Sequence, residues 1–173
     1  MSLSSLIDTT IAFASTHAAW ASPIVFLVAF AESFAFLSLL VPGWAILIGI
    51  GALIGASEIA FWPVWAAAAA GAALGDWISY WAGYYFKDRA LTVWPLSRHP
   101  EMAKRGQAFF ERFGVWSIAI GRFFGPLRAV VPLIAGIFGM PQLYFQLANV
   151  GSAMVWAFIL LAPTAAVLRH FMG

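Results

Sequence analysis

The chain lacks cysteine and has few charged side chains. Of its 173 residues, 9% are charged and 63% are hydrophobic. The absence of cysteine excludes disulfides, thiolate metal sites and cysteine nucleophiles. In soluble domains roughly a quarter of all residues are charged, so this composition indicates a chain that lies in lipid. Each crossing takes about 20 apolar residues, which leaves room for one domain with a handful of spans and excludes a large soluble domain.

Other features are also missing. No Lys or Arg precedes Lys87, so the N-terminus lacks the basic region of a secretory signal peptide and we expect the first segments to stay in the mature protein. The 9 Trp and 16 Phe lie inside apolar runs, which is not the pattern of a nucleic-acid surface, and no nucleic-acid partner is expected. No Gly-x-Ser-x-Gly or His-Glu-x-x-His motif occurs. The sequence therefore predicts no enzyme, no metal site and no cofactor.

Apolar runs and breakers divide the chain into six predicted segments. Two of the runs are broken, the first at Pro42 and Gly43, the second at Gly125, Pro126 and Pro132, so that neither half of either run is long enough to cross at about 1.5 Å per residue. For the first run, two full spans joined by a tight turn are the alternative. The predicted segments are an interfacial helix over 3–15, a re-entrant hairpin over 23–57, a transmembrane helix over 62–86, a basic loop over 87–112, a second re-entrant hairpin over 113–138 and a transmembrane helix over 143–168.

The predicted span 62–86 carries a ladder of small residues at i, i+4 spacing, which would let another helix approach closely in lipid. Asp76 and Tyr80 share the adjoining stripe and should face that partner helix. The ladder comprises Ala67, Gly71, Gly75, Ser79 and Gly83.

The segment 87–112 is the polar part of the chain, and its basic excess predicts a cytoplasmic position. Residues 100–113 form either a short surface helix or part of a solvated loop. We expect the C-terminus on the same side as this loop.

The two halves of the chain share a spacing. Glu32 precedes Pro42 by ten residues, and Arg122 precedes Pro132 by ten residues. Each half reads as a broken segment followed by a full span, and paired broken segments are typical of transporters whose site lies near the midplane.

Four ionisable side chains, Glu32, Asp76, Arg122 and Arg128, lie within the apolar segments. Each costs several kcal/mol in a bilayer and should face a cavity or a partner. Two acids and two bases make mutual pairing plausible. For each residue alone, a structural ion pair or a snorkelling side chain is the alternative; as a set, they predict a functional site.

The two arginines stand six positions apart, about 240° around an unbroken helix. A turn at Gly125-Pro126 would bring Arg122 and Arg128 to one cavity, beside the free N–H groups of a half-helix. Guanidinium binds phosphate bidentately, so we predict a phosphate or carboxylate substrate. Protonation of a buried Glu32 or Asp76 would then release an arginine to this substrate, which predicts proton coupling.

Several strings resemble the DedA family of membrane proteins, the group that shares the VTT domain. In the first half these are Glu32 before Pro42-Gly43 and the Gly-Ala-Ala-Leu-Gly-Asp run that ends at Asp76. In the second half the match is Gly-Arg-Phe-Phe-Gly-Pro-Leu-Arg ending at Arg128, then Pro132 to Gly136, Asn149, Gly151 and Trp156.

The resemblance implies an all-α polytopic fold in which two re-entrant hairpins face each other as a pseudo-inverted repeat. It also implies lipid transport, with undecaprenyl phosphate or an anionic phospholipid carried across the bacterial cytoplasmic membrane at the expense of the proton motive force. Glu32, Arg122 and Arg128 match important charged positions of the family. The family's second hairpin acid is replaced by Trp44.

A secondary transporter for a small soluble ion is the alternative function. Such an ion needs a closed polar cavity, whereas a polyprenyl phosphate needs a groove open to lipid. The phenylalanines near Arg122 favour the lipid.

Overall fold

The described part of the computed structural model is entirely helical in its regular elements. It covers residues 18–34, 43–56, 59–87, 89, 97, 100–124 and 127–172. The predicted all-α class is therefore confirmed for these residues, whereas the predictions for 3–15, Pro42, Gly125 and Pro126 lie outside them. The helices are α1 (Ala18–Ser33), α2 (Gly43–Ala56), α3 (Phe61–Phe86), α4 (Pro100–Phe113), α5 (Trp116–Gly121), α6 (Leu127–Ile137) and α7 (Gln142–Met172).

The helices fall into long and short classes. The 26 residues of α3 and the 31 residues of α7 correspond to about 39 and 46 Å, more than the roughly 30 Å of a bilayer core. Within the described ranges, Gln142–Pro163 has both the length and the hydropathy of a span, and Ala19–Ser33 and Ile46–Gly55 are shorter apolar helices.

The two long helices run antiparallel along their contact. The rings of Tyr80 and Phe145 stack with centroids 4.4 Å apart, and Phe61 meets Phe158 edge-on at 5.9 Å. The end of α3 therefore lies beside the start of α7. The end of α7 and residue 87 lie at opposite ends of this helix pair, so the predicted shared side of the C-terminus and the loop is not confirmed.

The small residues of α3 allow close helix contacts, as predicted, but two helices use them instead of one. Gly71 and Gly75 face the backbone of α1, where a Cβ on Gly75 would lie 2.7 Å from the Phe30 carbonyl oxygen. Further along, a Cβ on Gly83 would overlap the carbonyl of Leu133 in α6. The first half of the ladder thus binds α1 and the second half binds α6.

The crossing of α3 and α6 is reciprocal. Gly136 of α6 faces α3, and a Cβ there would overlap the Tyr80 carbonyl and lie 2.7 Å from the Tyr84 nitrogen. Because each helix contributes a glycine where the other's backbone arrives, the two axes approach closely without side chains between them.

Pro132 does not break its segment. It lies inside α6, which is continuous from Leu127 to Ile137. A proline removes one helical hydrogen bond, and neighbouring helices in a membrane protein make that loss tolerable. The helix ends at Ile137. Gly139, two residues later, has φ of 67°, and Met140 N donates to Ala135 O at 3.0 Å.

The basic segment 87–112 contains the predicted surface helix, α4. Its Gly106 is buried against Val130 of α6, whereas Lys104 and Glu101 are exposed and form a 3.2 Å ion pair. One face of α4 therefore covers α6, and the opposite face is charged.

Two apolar clusters occupy the ends of the bundle, with the polar residues between them. The first joins α1, α2, α3 and α7 around Val64 and Ala153, and the second joins α3, α5, α6 and α7 around Tyr80 and Phe145. Asp76 lies between the clusters along α3, as Asn149 does along α7. The charged site is therefore at mid-height in the bundle.

Candidate functional site

Arg122 follows α5 directly and is buried, with 3% of its surface exposed. Its Nη2 donates to Asp76 Oδ2 at 2.5 Å and to Asn149 Oδ1 at 2.6 Å. Its Nε donates to Ser152 Oγ at 3.0 Å. Two long helices, α3 and α7, thus hold this guanidinium from two sides.

The acceptors around Arg122 are themselves oriented. Asn149 Nδ2 donates to the Ala73 carbonyl at 2.9 Å, which turns Oδ1 toward the arginine. Ser152 Oγ donates to the Asn149 carbonyl at 3.1 Å and accepts from Arg122. In the sequence Asn149 was recognised as part of the family resemblance, and the structure gives it a polar contact with Arg122. Ser152 was not predicted. The sequence feature that could have identified it is its position three residues after Asn149 in an apolar helix.

Arg128 lies in the first turn of α6 and pairs with the end of α1. Nη1 donates to Glu32 Oε1 at 2.5 Å, and Nη2 donates to Ser33 Oγ at 3.2 Å. The guanidinium carbon lies 4.8 Å from the centre of the Trp156 ring. The Arg128 side chain keeps 12% of its surface exposed, whereas that of Glu32 keeps 6%.

The four charged residues form two ion pairs, Arg122 with Asp76 and Arg128 with Glu32. The predicted mutual pairing is therefore present. Each arginine is held by its own acid. Pairing is what allows such charges at low dielectric, because removing one partner of a buried pair costs about 3–5 kcal/mol.

One edge of the Arg122 guanidinium has no hydrogen-bond acceptor among the described residues. Its Nη1 is buried and makes no hydrogen bond to any residue in the described ranges. A buried donor without an acceptor costs about 1–3 kcal/mol, more when charged, so an anion supplied to this edge would be bound favourably.

The surface beside Arg122 is aromatic. Phe123 and Phe124 follow it in the turn after α5 and are about half exposed. No group of three or more potential metal ligands among His, Asp and Glu occurs within the parts of the chain that the structure describes. The assigned roles of the arginines as phosphate ligands, and of the acids as proton carriers, stay predictions.

The chain is similar to several bacterial membrane proteins. It is 38% identical to the inner membrane protein YabI of Escherichia coli over 133 residues, which cover 76% of this chain and 52% of YabI. It is 33% identical over 138 residues to the inner membrane protein YghB of the same species, covering 77% of this chain and 63% of YghB. A membrane protein of Synechocystis is 33% identical over 137 residues, covering 77% of this chain and 60% of that protein.

The chain thus spans about half to two-thirds of the length of these relatives. No solved structure matches it. Residues 41–165 match the VTT domain, a range that includes Asp76, both arginines and the α7 residues around them. The chain therefore belongs to the VTT-domain family, the DedA family of membrane proteins.

Proposed function

We propose that this protein carries an anionic lipid, undecaprenyl phosphate or another phospholipid with an anionic head group, across the bacterial cytoplasmic membrane. The observation that carries the proposal is the pair of arginines at mid-height in the bundle, each neutralised by an acid, with a buried donor edge left on Arg122. The names of the bacterial relatives support the inner membrane as its location.

Arginine suits a phosphate cargo. Its planar fork of N–H donors matches phosphate oxygens, and it stays charged at any physiological pH. The acids supply the neutralising charge while no cargo is bound, which keeps the resting site from carrying two uncompensated cations in a low-dielectric region.

A lipid fits the surroundings better than a small soluble ion does. Phe123 and Phe124 are exposed next to Arg122, and exposed aromatic rings in a membrane protein face acyl chains or the interface. A phosphate held by the arginines could leave its hydrocarbon tail on this apolar surface.

The contacts between helices support a two-fold repeat of hairpin and span. The first short helix of each half, α1 or α5, packs on the long helix of its own half, and the second, α2 or α6, packs on the long helix of the other half. Exchanging the halves leaves this pattern unchanged. We therefore propose that 23–57 and 113–138 are re-entrant hairpins that face each other, that 62–86 and 143–168 are spans, and that 87–112 is cytoplasmic.

We propose proton coupling through Glu32 and Asp76. Protonating either acid would remove the charge that holds its arginine and release donors to the phosphate; deprotonation on the other side of the membrane would restore the ion pair and expel the cargo.

Reconstitution in liposomes tests the proposal. Leaflet exchange of labelled undecaprenyl phosphate should be faster with the protein than without it, and Arg122→Ala and Arg128→Ala should each abolish the difference. Arg112→Ala is the matched control because Arg112 is exposed. Unchanged exchange in both site variants would overturn the phosphate site, and protein-dependent uptake of inorganic phosphate without lipid exchange would favour the soluble-ion alternative.

A further inference from the structure

Both arginines touch one stripe of α7. Asn149, Ser152 and Trp156 are three and four positions apart, which places them on one face of the helix. The first two accept hydrogen bonds from Arg122, and the third lies under the guanidinium of Arg128. A single rigid helix therefore sets the distance between the two sites.

Arg122 is fixed in position. Its side chain is 2% exposed and donates to three residues on α3 and α7, one of them the acid Asp76. Any displacement would break several buried hydrogen bonds at once, each worth about 1.5–3 kcal/mol when charged. The remaining Nη1 donor is accordingly presented at one place.

Arg128 is held more loosely. Both of its hydrogen bonds go to neighbouring residues at one helix end, Glu32 and Ser33, and its third contact is the face of an aromatic ring. A ring attracts the cation without selecting the direction of its N–H groups. The guanidinium can therefore turn from one acceptor to another while it stays over Trp156.

This inference rests on the proposed function: we propose that the two arginines have different roles. Their contacts with Asn149, Ser152 and Trp156 on α7 determine these roles. Arg122 is the fixed anchor, which donates to the cargo phosphate through Nη1 and keeps its hydrogen bonds to Asn149 and Ser152 whether or not Asp76 carries a proton. Arg128 is the exchangeable ligand, which transfers from Glu32 to the phosphate. Trp156 is a positioning residue that holds Arg128 during this transfer.

Variants of Trp156 test the positioning role. In proteoliposomes, the initial rate of exchange is measured against the mole fraction of undecaprenyl phosphate. Trp156→Leu should raise the half-saturating mole fraction roughly 2- to 30-fold, the range of a lost cation–π contact, with little change in maximal rate. Trp156→Phe should fall between this variant and the wild type because it keeps a ring. Phe158→Leu, which removes an exposed ring from the same helix, should leave both parameters unchanged.

Lysine substitutions test the division between the arginines without any cargo. Arg122→Lys cannot reach Asp76, Asn149 and Ser152 together, so it should lower the thermal midpoint in detergent. Arg128→Lys should leave the midpoint near that of the wild type, because one ammonium still neutralises Glu32.

The outcomes test the roles of Trp156 and the two arginines separately from the proposed lipid transport. A Phe variant no better than the Leu variant, or a fall in maximal rate with unchanged half-saturation, would overturn the role of Trp156. A larger loss of thermal midpoint in Arg128→Lys than in Arg122→Lys would overturn the assignment of anchor and exchangeable ligand. Wild-type exchange no faster than in protein-free liposomes would instead refute the proposed function, and the thermal comparison would still decide the assignment.

Discussion

Individual residues show what the sequence could reveal about the site. Charge in an apolar segment is costly, so Glu32, Asp76, Arg122 and Arg128 could be recognised from the sequence alone, and their pairing followed from their balance. Which acid binds which arginine could not be predicted, because it depends on how α1 and α3 pack. Ser152 was missed because a lone serine in an apolar helix has no charge to mark it.

The two ion pairs should differ in their contribution to stability. Asp76→Ala should be the more damaging substitution, costing about 3–5 kcal/mol of unfolding free energy, because it leaves a buried arginine uncompensated. Glu32→Ala should cost less, since Arg128 is partly exposed and keeps its contact with Trp156. Thermal unfolding in detergent measures both. Equal losses, or a larger loss for Glu32→Ala, would contradict this order.

Conservative substitutions of the acids should uncouple transport from the proton gradient. Glu32→Gln and Asp76→Asn each keep a hydrogen-bond acceptor near the arginine but cannot take up a proton. Exchange of undecaprenyl phosphate in both variants is expected to lose its response to an imposed pH gradient. Full, gradient-dependent exchange in both would show that neither acid carries the proton.

At the scale of helices, small residues were the most informative pattern. The i, i+4 ladder on α3 predicted close contact, and the structure shows backbone against backbone at Gly71, Gly75 and Gly83. The ladder could not indicate that its first half contacts α1 and its second half contacts α6, because the spacing of residues within one helix does not identify the helices that pack against it. The error at Pro132 has a similar origin: a proline weakens a helix locally, and the packing of α3 against α6 keeps the helix intact.

Alanine substitutions at glycines should lower the stability of the protein at tight helix crossings but not at exposed positions. Gly83→Ala and Gly136→Ala insert a methyl group into a neighbouring backbone, and such overpacking costs about 1–3 kcal/mol. Gly151 in α7 has open space around it, so Gly151→Ala should be neutral or stabilise the helix by up to about 1 kcal/mol. Thermal midpoints of the three variants provide the comparison. A Gly83→Ala protein as stable as Gly151→Ala would show that the crossing is looser than the structure indicates.

For the whole molecule, composition indicated the environment, but the relative directions of the helices came from tertiary contacts. The pairing of Tyr80 with Phe145 and of Phe61 with Phe158 makes α3 and α7 antiparallel. No periodicity within either helix contains that information. The sequence-based expectation for the C-terminus took no account of these directions and is not confirmed.

The antiparallel pair predicts which parts of the chain share a side of the membrane. Because the chain has no cysteine, single substitutions provide one reactive thiol each. Gln107→Cys on α4 should react with an impermeant maleimide from the cytoplasmic side only, the side proposed for the basic segment. Ala60→Cys before α3 and Ala166→Cys near the end of α7, both at exposed positions, should react only from the opposite side. Labelling of Ala166→Cys from the same side as Gln107→Cys would mean that α7 does not cross.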